Sequence, residues 1–213
     1  AYTHGHSSRV RMYAGALARA LDLPRAEIWK IEIGALLHDV GKIGIQDKIL
    51  NKPGPLTPEE YDQMKTHPVR GANIMSPIGQ LREVIPCMKH HHERWDGGGY
   101  PDGLAGEDIP LGARVVTVAD CWDAMTTNRP YQRAVEMDDA LARFRKLAGS
   151  VFDRELVDVF VAVIERGDCA DVYDQARAQV QATSARIAQD RSVDVTADDG
   201  HIDPDCLPPL ESR

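Results

Sequence analysis

Residues 111–127, LGARVVTVADCWDAMTT, constrain the fold more than any other part of this chain. The stretch is long and apolar enough to form a central buried helix. VVTV alone would suit a strand, but the alternation that a sheet requires is missing on both sides. Asp120 stands inside this segment, four residues after Val116, where an unpaired carboxylate is costly. A fold built on this helix has to bring compensating groups to Asp120.

The rest of the chain reads as helix too. Val10, Tyr13, Leu17 and Leu21 recur at three- and four-residue steps and predict an amphipathic helix over about 7–21. Pro24 opens a second helix as a first-turn proline, and Ile28, Ile31 and Ala35 carry its buried stripe toward His38. HDVGKIGI, residues 38–45, breaks that pattern. In LNKPGPLTPEE, residues 50–60, Thr57 is a candidate N-cap, Pro58 fits the first turn and Glu60 takes the capping-box position. His67-Pro68 interrupts a helix or starts one. Further helices are expected over about 80–93, 138–147 and 153–165, with a glycine-rich loop from 93 to 109. Residues 171–190 have a weak helical pattern, and the acidic, proline-containing stretch 191–213 reads as a poorly ordered tail. The expectation is an all-α bundle over 1–170.

Composition limits what such a bundle binds. The formal net charge of −8 argues against a nucleic-acid polymer, which requires a basic face. A small phosphate ligand remains open, because bound metal ions supply positive charge locally. No apolar run approaches the roughly 20 residues that span a bilayer. Four widely spaced cysteines without a CxxC fit a reduced, cytoplasmic protein. The chain begins at Ala1 and is motif-like by Thr3, as expected of a piece of a longer protein.

The run KHHHERWDGGGYPDG, residues 89–103, raises the question of a metal site. Successive helical side chains stand ~100° apart, so at most two adjacent members of the triplet 90–92 can serve one ion. His91 lies seven residues after Val84 and His92 seven after Ile85, both extending the apolar face, whereas His90 lies seven after Glu83 on the polar face. Helical phase thus selects His91 and His92. An isolated triplet is more often a solvated helix end, but other candidates gather: His38-Asp39 at the end of a buried helix, Asp120, His67 at a helix junction, and His6 one turn before Val10. Inward-facing histidines and carboxylates on separate helices are how bundles hold dinuclear metal sites. A carboxylate has two oxygens and can bridge two ions, which makes Asp39 the natural bridge. Mixed imidazole and carboxylate ligation favours iron or manganese, with zinc less favoured where no cysteine lies in chelating spacing. GGGYPDG lacks GK[ST] and follows a helix, so neither the P-loop nor the dinucleotide fingerprint fits.

HDVGKIGI, LNKPGPLTPEE, the isolated His67-Pro68, HHHERWDGGGYPDG, IPLGARVVTVADCWDAMTTNRPY and FDRELVD, in this order over about 3–166, resemble the HD-GYP family. That family is the branch of HD-domain phosphohydrolases that hydrolyses cyclic di-GMP. The resemblance implies that His6, His38, Asp39 and Asp120 ligate one metal. It implies that His67, His91 and His92, with Asp39 bridging, ligate the other. Lys42 matches a lysine that contacts the reacting phosphate, and Gly99, Tyr100 and Arg129 match the part that holds the cyclic dinucleotide. Members with a third metal carry a glutamate four residues before the first ligand histidine. Tyr2 stands there, so two metals are implied. A second basic residue often follows RPY directly; here that position is Gln132, with Arg133 one step later as its substitute.

The implied activity is hydrolysis of cyclic di-GMP to pGpG and then GMP in the bacterial cytoplasm, through a hydroxide bridging the two ions. A preceding sensory or receiver module follows from family habit, and a second copy of the chain is a candidate partner. Two alternatives stand beside it. One is hydrolysis of another nucleotide, such as cyclic GMP-AMP or a nucleoside monophosphate. The other is a non-catalytic module that senses the cyclic dinucleotide or docks a partner, against which the full set of seven ligands speaks. Asp123, three residues after Asp120, is a candidate partner for a ligand histidine. His4 and His90 stay outside the ligand set, and Trp95 and Trp122 read as core or loop anchors.

Overall fold

The computed structural model describes residues 2–127 and 134–172, with side chains from Gly5 onward. The period of residues 10–21 yields α1 (Tyr2–Ala20), which begins before its apolar repeat does. Pro24 precedes α2 (Arg25–Leu37), and the HD segment continues as a 3-10 turn at Val40–Gly44. A short α3 (Asp47–Leu50) leads to α4 (Pro58–Met64). The capping box forms: Thr57 Oγ1 accepts the Glu60 N–H at 3.3 Å, and Glu60 Oε2 accepts the Thr57 N–H at 2.8 Å. α5 (His67–Met75) starts at His67 with Pro68 in its first turn, where a missing N–H costs nothing.

The helix expected over 80–93 is not continuous. A 3-10 turn at Gly79–Leu81 precedes α6 (Ile85–Lys89), and residues from His90 on leave helical geometry. Pro86 has no N–H and fixes its φ, so it starts a helix here and cannot lie in the middle of one. The histidine triplet therefore lies past the helix end at Lys89, and helical phase does not set which of its rings face inward.

α7 (Leu111–Thr126) is the central element, buried without interruption from Val115 to Thr126. α1 and α2 pack on it and on each other, while α8 (Met137–Leu147) and α9 (Arg154–Glu165) pack on it as a second pair. Trp122 supplies the aromatic centre of the second packing, meeting Phe144 and Phe160 edge-on, a core anchor as the sequence suggests. A satellite cluster of Ile45, Ile49 and Met64 holds α3 against α4. Among the described residues there is no strand, only an isolated bridge between Ala148 and Phe152. Helical geometry resumes at Ala170, and the remainder of the expected C-terminal helix and tail lies outside the described residues.

Candidate metal centre

Five pieces of chain meet where α1, α2, α5 and α7 face the turn after α6. α1 contributes His6, the end of α2 His38, the following turn Asp39 and Lys42, the start of α5 His67, the turn after α6 His91 and His92, and α7 Asp120. Their ligand atoms form overlapping groups: His6, His38 and Asp120; His67, His91 and His92; and His38, Asp39 and His91 between them. His6 Nε2 lies 3.2 Å from Asp120 Oδ1. Asp39 reaches both ends, with Oδ2 3.5 Å from His38 Nε2 and Oδ1 3.4 Å from His67 Nε2. All seven sequence-derived ligand candidates thus lie in one pocket.

Close approach of the HD turn to α5 is what lets Asp39 reach across. A Cβ on Gly41 would run into the backbone of His67 and, at 2.5 Å, into the Gly71 nitrogen. Only glycine permits that contact.

Local hydrogen bonds aim the imidazoles. His38 Nδ1 is 2.7 Å from the Ala35 carbonyl, His67 Nδ1 2.9 Å from that of Met64, and His91 Nδ1 2.6 Å from that of Met88. A carbonyl only accepts, so each Nδ1 carries a proton and each ring turns its Nε2 inward. Burial pushes His67 down to about 4, with Lys42 adding to the effect. Burial and the neighbouring rings hold His91 and His92 well below the ordinary imidazole range. The His67 and His91 Nε2 atoms nevertheless face each other at 3.4 Å. Two lone pairs at that separation repel unless a cation lies between them. His38 Nε2 and Asp39 Oδ1 are likewise buried without a hydrogen-bond partner. The donor set fits metal ions: neutral imidazoles and ionised carboxylates are the forms that ligate. Burial opposes ionisation of both carboxylates, but the Lys42 ammonium holds Asp39, and the hydrogen bond from His6 holds Asp120, well below the usual carboxylate range.

His6 is aimed differently. Its Nδ1 lies 2.7 Å from Asp123 Oδ2, as the spacing from Asp120 suggested, and Asp123 is itself gripped by Arg9. Burial alone would lower His6, yet Asp120 and Asp123 outweigh it and lift the metal-free ring to about 9.

The residues expected to meet substrate are less uniform. Lys42 Nζ is 2.9 Å from Asp39 Oδ2 at the edge of the pocket. Tyr100 stacks on His92, ring centroids 4.8 Å apart and planes 22° from parallel. Gly99 packs so closely that a Cβ would meet the Glu93 Cα and the His92 carbonyl at 2.5 Å. Its place is thus to let the loop fold onto the ligand segment. Arg129 and Arg133 lie outside the described residues, as does the side chain of His4. His90 turns from the cluster toward Glu93 and Asp102, at 3.7 and 3.8 Å. Trp95 sits under the Arg114 guanidinium, 5.7 Å from the ring centroid.

Two functional positions escape the sequence reading. One is Arg9, which lies one turn after His6 on the same helical face; that i, i+3 spacing was the available signal. The other is Glu93, almost wholly buried, whose carboxylate accepts the Asp102 N–H at 2.7 Å and the Leu104 N–H at 3.1 Å. It fastens the glycine-rich loop, and nothing local in HHHE announces that.

A helical bundle whose centre is an HD dyad joined to histidines of three other segments defines the HD-domain class. The HD domain family model matches residues 2–156, and the chain belongs to that family. Its relatives agree with the HD-GYP branch that its motifs resemble. It is 41% identical over 175 residues to a cyclic di-GMP phosphodiesterase of Thermotoga maritima, covering 80% of this chain and 46% of that protein. It is 45% identical over 163 residues to a cyclic di-GMP phosphodiesterase response regulator of Xanthomonas campestris, covering 75% and 43%. A 3'3'-cGAMP-specific phosphodiesterase of Vibrio cholerae is 38% identical over 155 residues, covering 72% and 34%. The chain thus spans less than half the length of these relatives. Among solved structures, an HD-GYP-type protein of Bdellovibrio bacteriovorus superimposes with a TM-score of 0.62 at 23% identity, covering 76% of this chain and 52% of that one. A likeness at that identity establishes the shared fold. No helix among the described residues is long and apolar enough to cross a membrane.

Proposed function

We propose that this domain, residues 1–170, is a metal-dependent phosphodiesterase that hydrolyses cyclic di-GMP to pGpG and GMP. The observation that supports it best is the lone-pair encounter of His67 and His91 beside a carboxylate that reaches both halves of the pocket. His6, His38, Asp39 and Asp120 would hold one ion, and Asp39, His67, His91 and His92 the other. Iron is the first expectation for this donor set and manganese the second. Such a pair of ions, when bound, supplies an activated water and neutralises charge on the phosphoryl oxygens.

The chain's own residues do the rest. Asp39 holds the two halves in register, and its two oxygens face opposite groups of histidines. Lys42 stands at the pocket edge, where its ammonium can leave Asp39 for a non-bridging phosphate oxygen and add a fixed positive charge there. The loop fastened by Glu93 sets Tyr100 against His92 and so forms one wall for the dinucleotide. Arg129 and Arg133 would complete the guanine and phosphate contacts, since a guanidinium matches both.

One observation favours a second substrate. Gln132 stands where a basic residue often follows RPY, and relatives of this chain include enzymes named for 3'3'-cGAMP. The test is anaerobic turnover with iron or manganese on both cyclic dinucleotides. Faster hydrolysis of cyclic di-GMP is expected, a reversed preference would make 3'3'-cGAMP the substrate, and two bound metals with no turnover of either would favour a sensor.

A further inference from the structure

The geometry points to Arg9 and Asp123 as positioning residues that set occupancy of one metal position, that of His6, His38 and Asp120, independently of the other. This rests on the two-metal reading above. His6 Nδ1 is 2.7 Å from Asp123 Oδ2, so a side-chain carboxylate takes the place that the Ala35, Met64 and Met88 carbonyls take for His38, His67 and His91. Asp123 is therefore what makes His6 present Nε2, and not Nδ1, to Asp120 and the ion. Arg9 grips Asp123 with two prongs, Nε to Oδ1 at 2.6 Å and Nη2 to Oδ2 at 3.0 Å. All three side chains are more than nine-tenths buried, so solvent cannot stand in for a missing partner.

The arrangement makes a fork, a carboxylate and an imidazole in series, with both ends on α1 and the middle on α7. Removing the fork leaves Asp123 as a buried anion held by His6 alone, and the His6 ring loses its fixed orientation. His67 and His91 are instead aimed by the Met64 and Met88 carbonyls of their own segments. A defect in the series should therefore appear at one ion and not at both.

The test is metal content. Wild type, Asp123→Asn, Arg9→Gln and Arg9→Lys are loaded anaerobically with iron or manganese and dialysed against graded chelator. Metal per chain is then measured by elemental analysis, and thermal unfolding is recorded for the metal-free forms. Asp123→Asn and Arg9→Gln should release one ion at about 10–100-fold lower chelator than wild type while the second ion is held as in wild type. Arg9→Lys, which keeps the charge but not the fork, should fall between. Unchanged retention of both ions in Asp123→Asn and Arg9→Gln, or loss of both together, overturns the series alone. Fewer than two ions on wild type overturns it together with the two-metal reading.

Discussion

The two halves of the pocket are assembled by different kinds of contact. His67, His91 and His92 lie within a segment of 26 residues, and two of them are aimed by carbonyls three positions back. His6 is aimed by Asp123, 117 positions away, through the docking of α1 on α7. The first half can take shape wherever its local turns form. The second exists only when the ends of the domain are together. Asp39 joins them, so the shared carboxylate carries the consequences of both.

The largest expected effect removes that joint. Asp39→Ala should lower turnover on the order of 10³-fold or more, because in the proposed two-metal site both ions would lose a ligand. Turnover within a few-fold of wild type would mean that the halves work separately.

The metal-free protein should separate the halves by pH. His67 is held down to about 4, and the unfolded chain binds that proton near pH 6.5. Between those values the unfolded state carries more protons, so stability falls as the pH drops from 6.5 toward 4. His6 has the opposite sign. Its folded value is raised to about 9, so its contribution is complete below pH 6.5 and is lost as the pH rises through 9. Thermal unfolding across pH should show both losses, and His6→Gln should remove only the alkaline one. An alkaline loss unchanged in His6→Gln would assign it elsewhere.

Smaller effects sharpen the local half. Glu93→Gln keeps one acceptor of the loop clamp and gives up the other, which should cost about 1–3 kcal/mol of stability by denaturant unfolding and raise KM more than it lowers kcat. His90→Ala should change stability by about 0.5 kcal/mol and leave turnover near wild type, since the ring faces Glu93 and Asp102 and not the ligands. A large loss of activity in His90→Ala would put that histidine among the metal groups.

Much of this was legible in the chain itself. Periodicity located α1 and α2, the long apolar run located α7, the helices expected over 138–147 and 153–165 formed as α8 and α9, and the capping box at Thr57 and Glu60 formed as written, because all of these depend on residues within a few turns of one another. The helix over 80–93 failed because Pro86 restarts it and His90 ends it. His91 and His92 still share the pocket with His67, but a turn after α6 brings them there, not a helical face. Their rings stand 4.0 Å apart, a spacing that the turn sets.

Residue type and local spacing alone determined that this chain forms buried helices, carries a carboxylate inside a long apolar one and keeps histidines beside helix ends. Those properties follow from burial costs and helical geometry over a few residues. Only the tertiary structure decided that Arg9 holds Asp123, that Asp123 aims His6 in particular, and that Glu93 pins a loop. A hydrogen bond between positions more than a hundred apart depends on how two helices dock, and no local pattern encodes that angle.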